Sequence, residues 1–574
     1  MKKIFLYFMV LAAALSCNKL PEDNGDPASE AGMITEVISG SRGTSTKVTI
    51  ADSDASFAWT VGDNIAVHVS NGTSHKYVFT SGEGGASEAA ATADFTISYD
   101  EGYTRDAFAV YPSTIVSETA SNYGQSGATL DVTLPGEYTL AQVSDETSPC
   151  PMIATNTPGT NWIFYQLCGL LRLTVNSIPP STKRLEINFV GKNVAGNFAI
   201  PNPVKGDGSS TIAMENASGD NSSVITITNS GETLYSGWGD GKVFNIPLPA
   251  GDYGDITVTA YNELSGGDAV LTMTRPFGYT ADCLHGTKRT ASFPVFSIND
   301  SRSRRVIFAP GNLQATTTDL GATWTWGFAG HQYDFIGNGG GNTKINGKGT
   351  LSENGTVDLF GWSSAISAYG IHNSKNVSLN NNDYSGDFVD WGTIRTFDGI
   401  TYPENYWKTL SSHSSNGYEW WYMLRTRSNT AVNSTANARY TLATINNDDT
   451  PVKGMIIFPD FYMGPTDSSS DITWGNLINN YNSYNWTSTQ CTVEGWKTLE
   501  SAGCVFLPAA GYREGSTFYN TEHAYASSTP GTAYMGNVAG RRLLRFGCSP
   551  YSVYWDEVKY KYVGASVRLA HEVQ

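Results

Sequence analysis

The residue with the clearest chemistry in this chain is Cys17. Two lysines, Lys2 and Lys3, precede an apolar run from Ile4 to Leu15, and Ser16 and Cys17 follow it. The run is too short to span a bilayer as a helix but suits the core of a signal peptide. A thiol placed directly after such a core reads as the lipid attachment point of a bacterial lipoprotein, cleaved before Cys17. The second set is aromatic: Trp407, Trp420, Trp421, Trp474, Trp486, Trp496 and Trp555 lie in stretches rich in Asn, Ser, Thr and Tyr. Indole faces stack on the apolar faces of sugars or on peptide side chains, while amides and hydroxyls fix orientation. Of these, Trp407, Trp420, Trp421, Trp486 and Trp555 are the ligand-binding candidates. In a loop-rich region Trp also serves as core filler, and both readings stand.

Catalytic patterns are missing. There is no G-x-S-x-G and no H-E-x-x-H, and Gly337–Gly341 lacks the lysine and serine of a phosphate loop. No carboxylate pair is singled out for glycoside hydrolysis, whose spacing is spatial rather than sequential. The eight histidines are scattered, and His331 and His523 read as packed or surface imidazoles. Six cysteines follow Cys17, at positions 150, 168, 283, 491, 504 and 548, with no C-x-x-C. Their spacings match no metal motif. Buried thiols are the plain reading, and a disulfide from Cys491 to Cys504 or Cys548 is the alternative that export permits. No enzyme activity, metal or cofactor is expected.

These residues need elements to hold them. With 574 residues the chain is too long for one core. A formal net charge of −17 argues against nucleic acid or an anionic membrane surface as partner. The membrane is expected to be met through the N-terminal lipid alone. Residues 18–32 are polar, acidic and rich in turn formers, and read as a flexible tether. Acidic residues just after the cysteine resemble the export signal of some Gram-negative surface lipoproteins. The chain changes character near residue 298, since 11 of its 14 Trp residues lie beyond that point. Before it come short alternating runs, among them Ile65–Val69, Phe108–Tyr111, Leu170–Val175, Arg184–Phe189 and Asp255–Ala260, separated by turn signals. That pattern predicts β-sandwiches.

Four segments in this first half carry a family resemblance. Phe57-Ala58-Trp59-Thr60-Val61-Gly62-Asp63-Asn64-Ile65 resembles the F-x-W-x-x-G-D-x-I signature of fimbrillins, the subunits of type V pili. Ala109-Val110-Tyr111-Pro112, Leu167–Leu173 and Phe244–Gly251 resemble later fimbrillin segments, in the same order. The resemblance implies two transthyretin-like β-sandwiches, 33–170 and 171–297. In plain physical terms Phe57 and Trp59 alternate onto one face as core anchors and Gly62-Asp63 closes a turn.

The second half, 298–574, holds the ordered set Val505–Arg513 (VFLPAAGYR), Tyr525–Thr529 (YASST) and Ser566–Leu569 (SVRL). This set resembles FISUMP-type domains, relatives of formylglycine-generating enzymes and C-type lectins. It implies a loop-rich α+β, C-type-lectin-like domain, in which Glu419–Arg427 is expected to be helical. The close cysteine pair of the formylglycine-generating enzymes is not reproduced. Pro403-Glu404-Asn405 and Trp555-Asp556-Glu557 fit neither calcium motif of the lectins.

The fimbrillin resemblance also implies processing. Such subunits travel as lipoproteins and are cut after a basic residue near the first strand, opening a groove for a neighbour's strand. Ile34–Ser39 is the expected strand here. Arg42, in a Ser/Gly loop, is the expected cleavage site, with Lys47 the alternative. The clustered Arg302, Arg304 and Arg305 read as an exposed linker or as partners of acidic neighbours. The expected product is an outer-membrane or pilus-borne adhesin, a tip or accessory subunit. Its expected partners are other fimbrillin subunits, by donor-strand exchange, and a glycan or surface protein. The alternative is a non-polymerising surface lipoprotein that anchors a pilus or captures nutrients.

Overall fold

A computed structural model of the chain describes residues 32–573 apart from 43–47, 51–52, 56–58, 60, 81–91, 120–128, 145–149, 156–158, 180–181, 202–213, 218, 230–237, 239–240, 268, 282–285, 298–304, 344–350, 365–378, 380–383, 385, 410–438, 449, 461, 463, 466–467, 475–488, 516, 520–522, 536–537 and 549–550. The described residues are mainly β. The expected helix at Glu419–Arg427 lies outside them. No described helix is long and apolar enough to cross a membrane.

Seven strands form the first sheet: β1 (Met33–Arg42), β2 (Ala66–Ser70), β3 (His75–Phe79), β4 (Thr92–Asp100), β5 (Thr104–Tyr111), β6 (Met152–Thr155) and β7 (Asn161–Gln166). Their spatial order is β3-β2-β5-β6-β7-β1-β4. Strict alternation marks its edge strand. In β4, Ala93, Phe95, Ile97 and Tyr99 point inward while the residues between them are exposed. They pack with Ile38, Val67, Val69 and Phe164 around Trp59, whose ring stands edge-on to Phe95, Tyr111 and Phe164. Thus Trp59 and Tyr111, from two different motif segments, meet in one core, and the Tyr111 hydroxyl donates to Asp63 at 2.8 Å.

A second sandwich follows. Strands Gly169–Asn176, Lys242–Leu248 and Gly286–Ser292 make one layer. Arg184–Phe189, Val224–Thr228, Gly251–Tyr261 and Ala269–Ala281 belong to the other. Leu171, Leu173 and Ile246 face Ile187, Ile227 and Val258 between the layers. Tyr253 donates to the Pro249 carbonyl at 2.8 Å and closes the late turn motif.

The pairing crosses the boundary expected at residue 170. Glu137–Thr139 joins Val224–Thr228 in parallel, and Thr129–Leu134 pairs antiparallel with Gly196–Pro201. Packing explains the crossing: Leu130, Val132, Phe198 and Ile200 cover the outer face of the first sheet at Tyr77, Phe108 and Val110.

In the second half, Arg439–Asn447, Thr450–Phe458 and Val505–Pro508 pair antiparallel in a mixed sheet completed by Gln490–Thr492 and Ile472–Thr473. The helix Val493–Ser501 packs on it through Trp496 and Leu499. Its start is capped by Thr492, whose side chain accepts from the Gly495 amide at 3.0 Å. Leu569–Val573 sits between Arg305–Phe308 and Lys408–Thr409. The backbone of Arg305 is therefore in a strand, not a linker; Arg302 and Arg304 lie outside the described residues.

Buried polar groups tie these pieces together. The Asp358 carboxylate, fully buried, accepts from Asn342 Nδ2 at 2.6 Å and the Ile336 amide at 2.8 Å. Burial outweighs these bonds and pushes its pKa up to about 6. A carboxyl whose folded value lies above its unfolded 3.8 stabilises the fold below 3.8, and that contribution is lost as pH rises through about 6. The difference is worth about 3 kcal/mol. Melting of wild type and Asp358→Asn between pH 4 and 7 should show the slope in wild type and a flatter profile in the variant.

Candidate functional site

Two places bear on the expected functions. The first is β1. Its inward positions are Ile34, Glu36, Ile38 and Gly40, while Met33, Thr35 and Val37 face out. It runs antiparallel to β4 from Met33 to Ser41, and parallel to β7 from Ser39 to Arg42. Among the described strands, β1 is the sole ladder partner of β4. Trp59 Nε1 donates to the Gly40 carbonyl at 2.9 Å. A Cβ on Gly40 would stand 2.9 Å from the Phe95 ring and 3.1 Å from the Phe164 ring, so the aromatic pair demands a residue without one.

Glu36 is the polar point of this strand. Tyr99 donates to Glu36 Oε1 at 2.6 Å, and Arg105 Nε lies 2.6 Å from Oε2. Partial burial and the Glu36 carboxylate push the Tyr99 hydroxyl up to about 12. A one-residue slip of β1 would turn Glu36 outward and break both contacts, so the pair marks the register. Glu36 was not picked out from the sequence, although the alternation from Ile34 to Gly40 was there to be read.

Arg42 is the last residue of β1, paired with Phe164 on one side only, since the ladder to β4 ends at Ser41. Its backbone is thus extended and hydrogen-bonded, not in a loop as expected. Apolar inward positions and a following aromatic strand carry β1 past Gly40. Cys17 and Lys47 lie outside the described residues.

The second place is a cleft of about 700 Å³ lined by the second half of the chain and by the second sandwich. Phe308, Phe328, His331 and Lys497 contribute to one wall, and Lys183 and Asn262 of the second sandwich close the other. The volume falls in the range of small-ligand sites. Trp407 belongs to the lining but is only 2 % exposed. Phe328, Tyr402, Tyr406 and His571 enclose its ring at centroid distances of 5.4 to 6.3 Å. The expected stacking face is therefore core, because Trp here replaces missing regular structure. Trp496 is likewise buried under its helix. Trp420, Trp421 and Trp486 lie outside the described residues, as does the side chain of Trp555, whose backbone runs in the strand Tyr551–Tyr560. His331 is exposed, stacks on Tyr333 and pairs with Asp334 at 3.0 Å.

The arginines within the motifs of the second half are structural hubs. Arg568, fully buried, donates to Asn312 Oδ1, Gln332 Oε1 and the carbonyls of Gln332 and Phe506 at 3.0 to 3.1 Å. Burial pushes it down to about 9, which leaves it charged at neutral pH. Arg513 donates to the carbonyls of Gly515 and Leu359. Cys491 and Cys504 are buried thiols in one core cluster and outside any disulfide, which agrees with the plain reading and not with the alternative pairing of Cys491. The Cys491 thiol donates to the Thr444 carbonyl, and burial pushes its pKa up to about 12. Cys150 and Cys168 are likewise buried thiols outside any disulfide.

No family model matches the chain, and no curated protein does. Among solved structures it is similar to a candidate cell adhesion protein of Bacteroides ovatus, at 13% identity over 41% of this chain and 83% of that one, with a TM-score of 0.24. A candidate cell adhesion protein of Bacteroides fragilis matches at 13% identity over 50% and 91%, TM-score 0.21. The tip fimbrial protein Mfa3 of Porphyromonas gingivalis, with its C-terminus truncated, matches at 13% over 43% and 81%, TM-score 0.18.

Proposed function

We propose that this protein is a cell-surface fimbrial subunit of the tip or accessory kind, delivered as a lipoprotein through Cys17 and acting as an adhesin. The observation that carries the proposal is the place of β1. It is an N-terminal strand threaded between β4 and β7, and it ends on a basic residue paired on one side only. Cutting after Arg42 detaches β1 from the chain that follows. Its loss bares Trp59, Phe95 and Phe164 in a strand-wide groove, which the strand of another subunit fills by β-augmentation. Such a donor needs apolar, acidic, apolar and small residues at alternate positions, to reproduce Ile34, Glu36, Ile38 and Gly40. The second half of the chain serves as the binding head, its cleft taking a glycan or a surface peptide, with no turnover.

Limited trypsin digestion of the folded chain tests this. Beyond the tether with its Lys19, the first cut is expected after Arg42, leaving Gly43 as the new terminus, and Arg42→Gln should remove that cut while leaving later ones in place. First cleavage elsewhere, with β1 retained, would count against the proposal. A second reading, a lipoprotein that keeps its anchor, is favoured by one observation: β1 is held by a continuous ladder from Met33 to Ser41.

A further inference from the structure

We propose that His68, His75 and Asp106 form a binding site for a divalent cation of the zinc class. The three lie on three adjacent strands, β2, β3 and β5, at the end of the first sheet remote from β1. Sheet geometry brings them together. His68 stands opposite Tyr77 and Ser70 opposite His75, so the two histidines are diagonal cross-strand neighbours on one face. On the other side the β2–β5 ladder slips. Val67 pairs with Ala109 and Val69 with Arg105, so the three residues 106–108 stand opposite the single residue His68. That bulge re-aims Asp106 toward the histidine, the use to which bulges beside functional sites are put.

The donor atoms of the three side chains lie within 4.8 Å of one another. His68 is 0% exposed, and its Nδ1 lies 2.7 Å from Asp106 Oδ2. A carboxylate only accepts, so Nδ1 carries the proton between them. The His75 ring stacks on His68 at 5.3 Å, and its buried Nδ1 has no hydrogen-bond partner among the described residues. A purely structural histidine pair accounts for the bond to Asp106 but not for that bare nitrogen.

The chemistry of the set selects the ion. Two imidazoles and one carboxylate are ligands for zinc, and with it copper and nickel, whereas calcium and magnesium call for six or more oxygens. The ion takes the place of the proton between His68 Nδ1 and Asp106, and the neutral imidazole then carries its single proton on Nε2. Ligands at zinc distances stand about 3.3 Å apart on a tetrahedron. The His68–Asp106 gap therefore opens slightly, and His75 swings in from the edge strand. Asp106, whose side chain is 39% exposed, and the half-buried His75 supply this movement while His68 stays fixed. A water fills the fourth position.

The test is a zinc chloride titration of the tag-free, chelator-treated full chain, followed by calorimetry and by elemental analysis after gel filtration. One zinc per chain is expected, with a rise in melting temperature on saturation. His75→Gln and Asp106→Asn should each weaken binding at least tenfold while the circular dichroism stays that of wild type, and His331→Gln should leave binding unchanged. Zinc retained well below one equivalent would overturn the proposal. So would binding that survives intact in both His75→Gln and Asp106→Asn.

Discussion

Replacing Arg568 by Met should cost the second half of the chain about 3–5 kcal/mol, because it strips a buried cation from a set of acceptors arranged around it. Asn312 Oδ1 and the Gln332 and Phe506 carbonyls lose this donor, in a site closed to water. Each buried acceptor left bare costs about 1–3 kcal/mol, and the costs overlap because Gln332 is shared. Gln332 also donates to Glu500 at 2.9 Å and accepts from the Phe506 amide at 2.9 Å, so the damage spreads to the helix Val493–Ser501 and the strand beside it. Arg568→Lys should recover little, since one ammonium cannot span contacts made from Nε and both terminal nitrogens. Urea unfolding followed by Trp fluorescence reads the effect directly, as most Trp residues lie in this half. A loss below about 1 kcal/mol would show that the hub does not organise the region.

Trp59→Ala should destabilise the first sheet by about 3–5 kcal/mol, as expected for a large ring removed from a closed core. The ring touches Phe95 of β4, Tyr111 of β5 and Phe164 of β7, and its N–H holds the Gly40 carbonyl of β1. Trp59→Phe separates the two contributions. It keeps much of the packing but drops the bond to β1, so it should loosen β1 by about 1 kcal/mol and speed tryptic cleavage after Arg42. Denaturant melts of both variants, together with cleavage rates, check the division. If Trp59→Phe is cut no faster than wild type, the indole does not secure β1.

Much of this was legible in the sequence wherever one face of a strand is buried. Alternation marks the central strands of the second sandwich, while β2 and the end of β5, buried on both faces, read as short apolar runs; the motif segments of the first half fall on cores and turns. Trp59 was read correctly as an anchor because a bulky ring between small neighbours, Ala58 and Thr60, has one place to go. Other features depend on pairs distant in sequence. Thr129–Leu134 looks like any alternating strand, and only its partner Gly196–Pro201 shows that the chain has already crossed the expected boundary. Arg513 and Arg568 are visible as motif residues, but their role follows from carbonyls supplied by distant segments. His68 and Asp106 are 38 residues apart, and only the bulge opposite His68 joins them. The helix Val493–Ser501 could have been found: Thr492 as cap, Glu494 in the first turn, and Trp496 and Leu499 three apart are its signals.

The measurement that bears most directly on the strand-exchange account is the mass of the mature N-terminus on material sheared from the surface of cells that make the protein. The account predicts chains that begin at Gly43, without Cys17, and a peptide ending at Arg42 no longer bound to them. Sheared and cell-bound chains that all begin at a lipidated Cys17 would contradict it and leave β1 as a permanent strand of the first sheet.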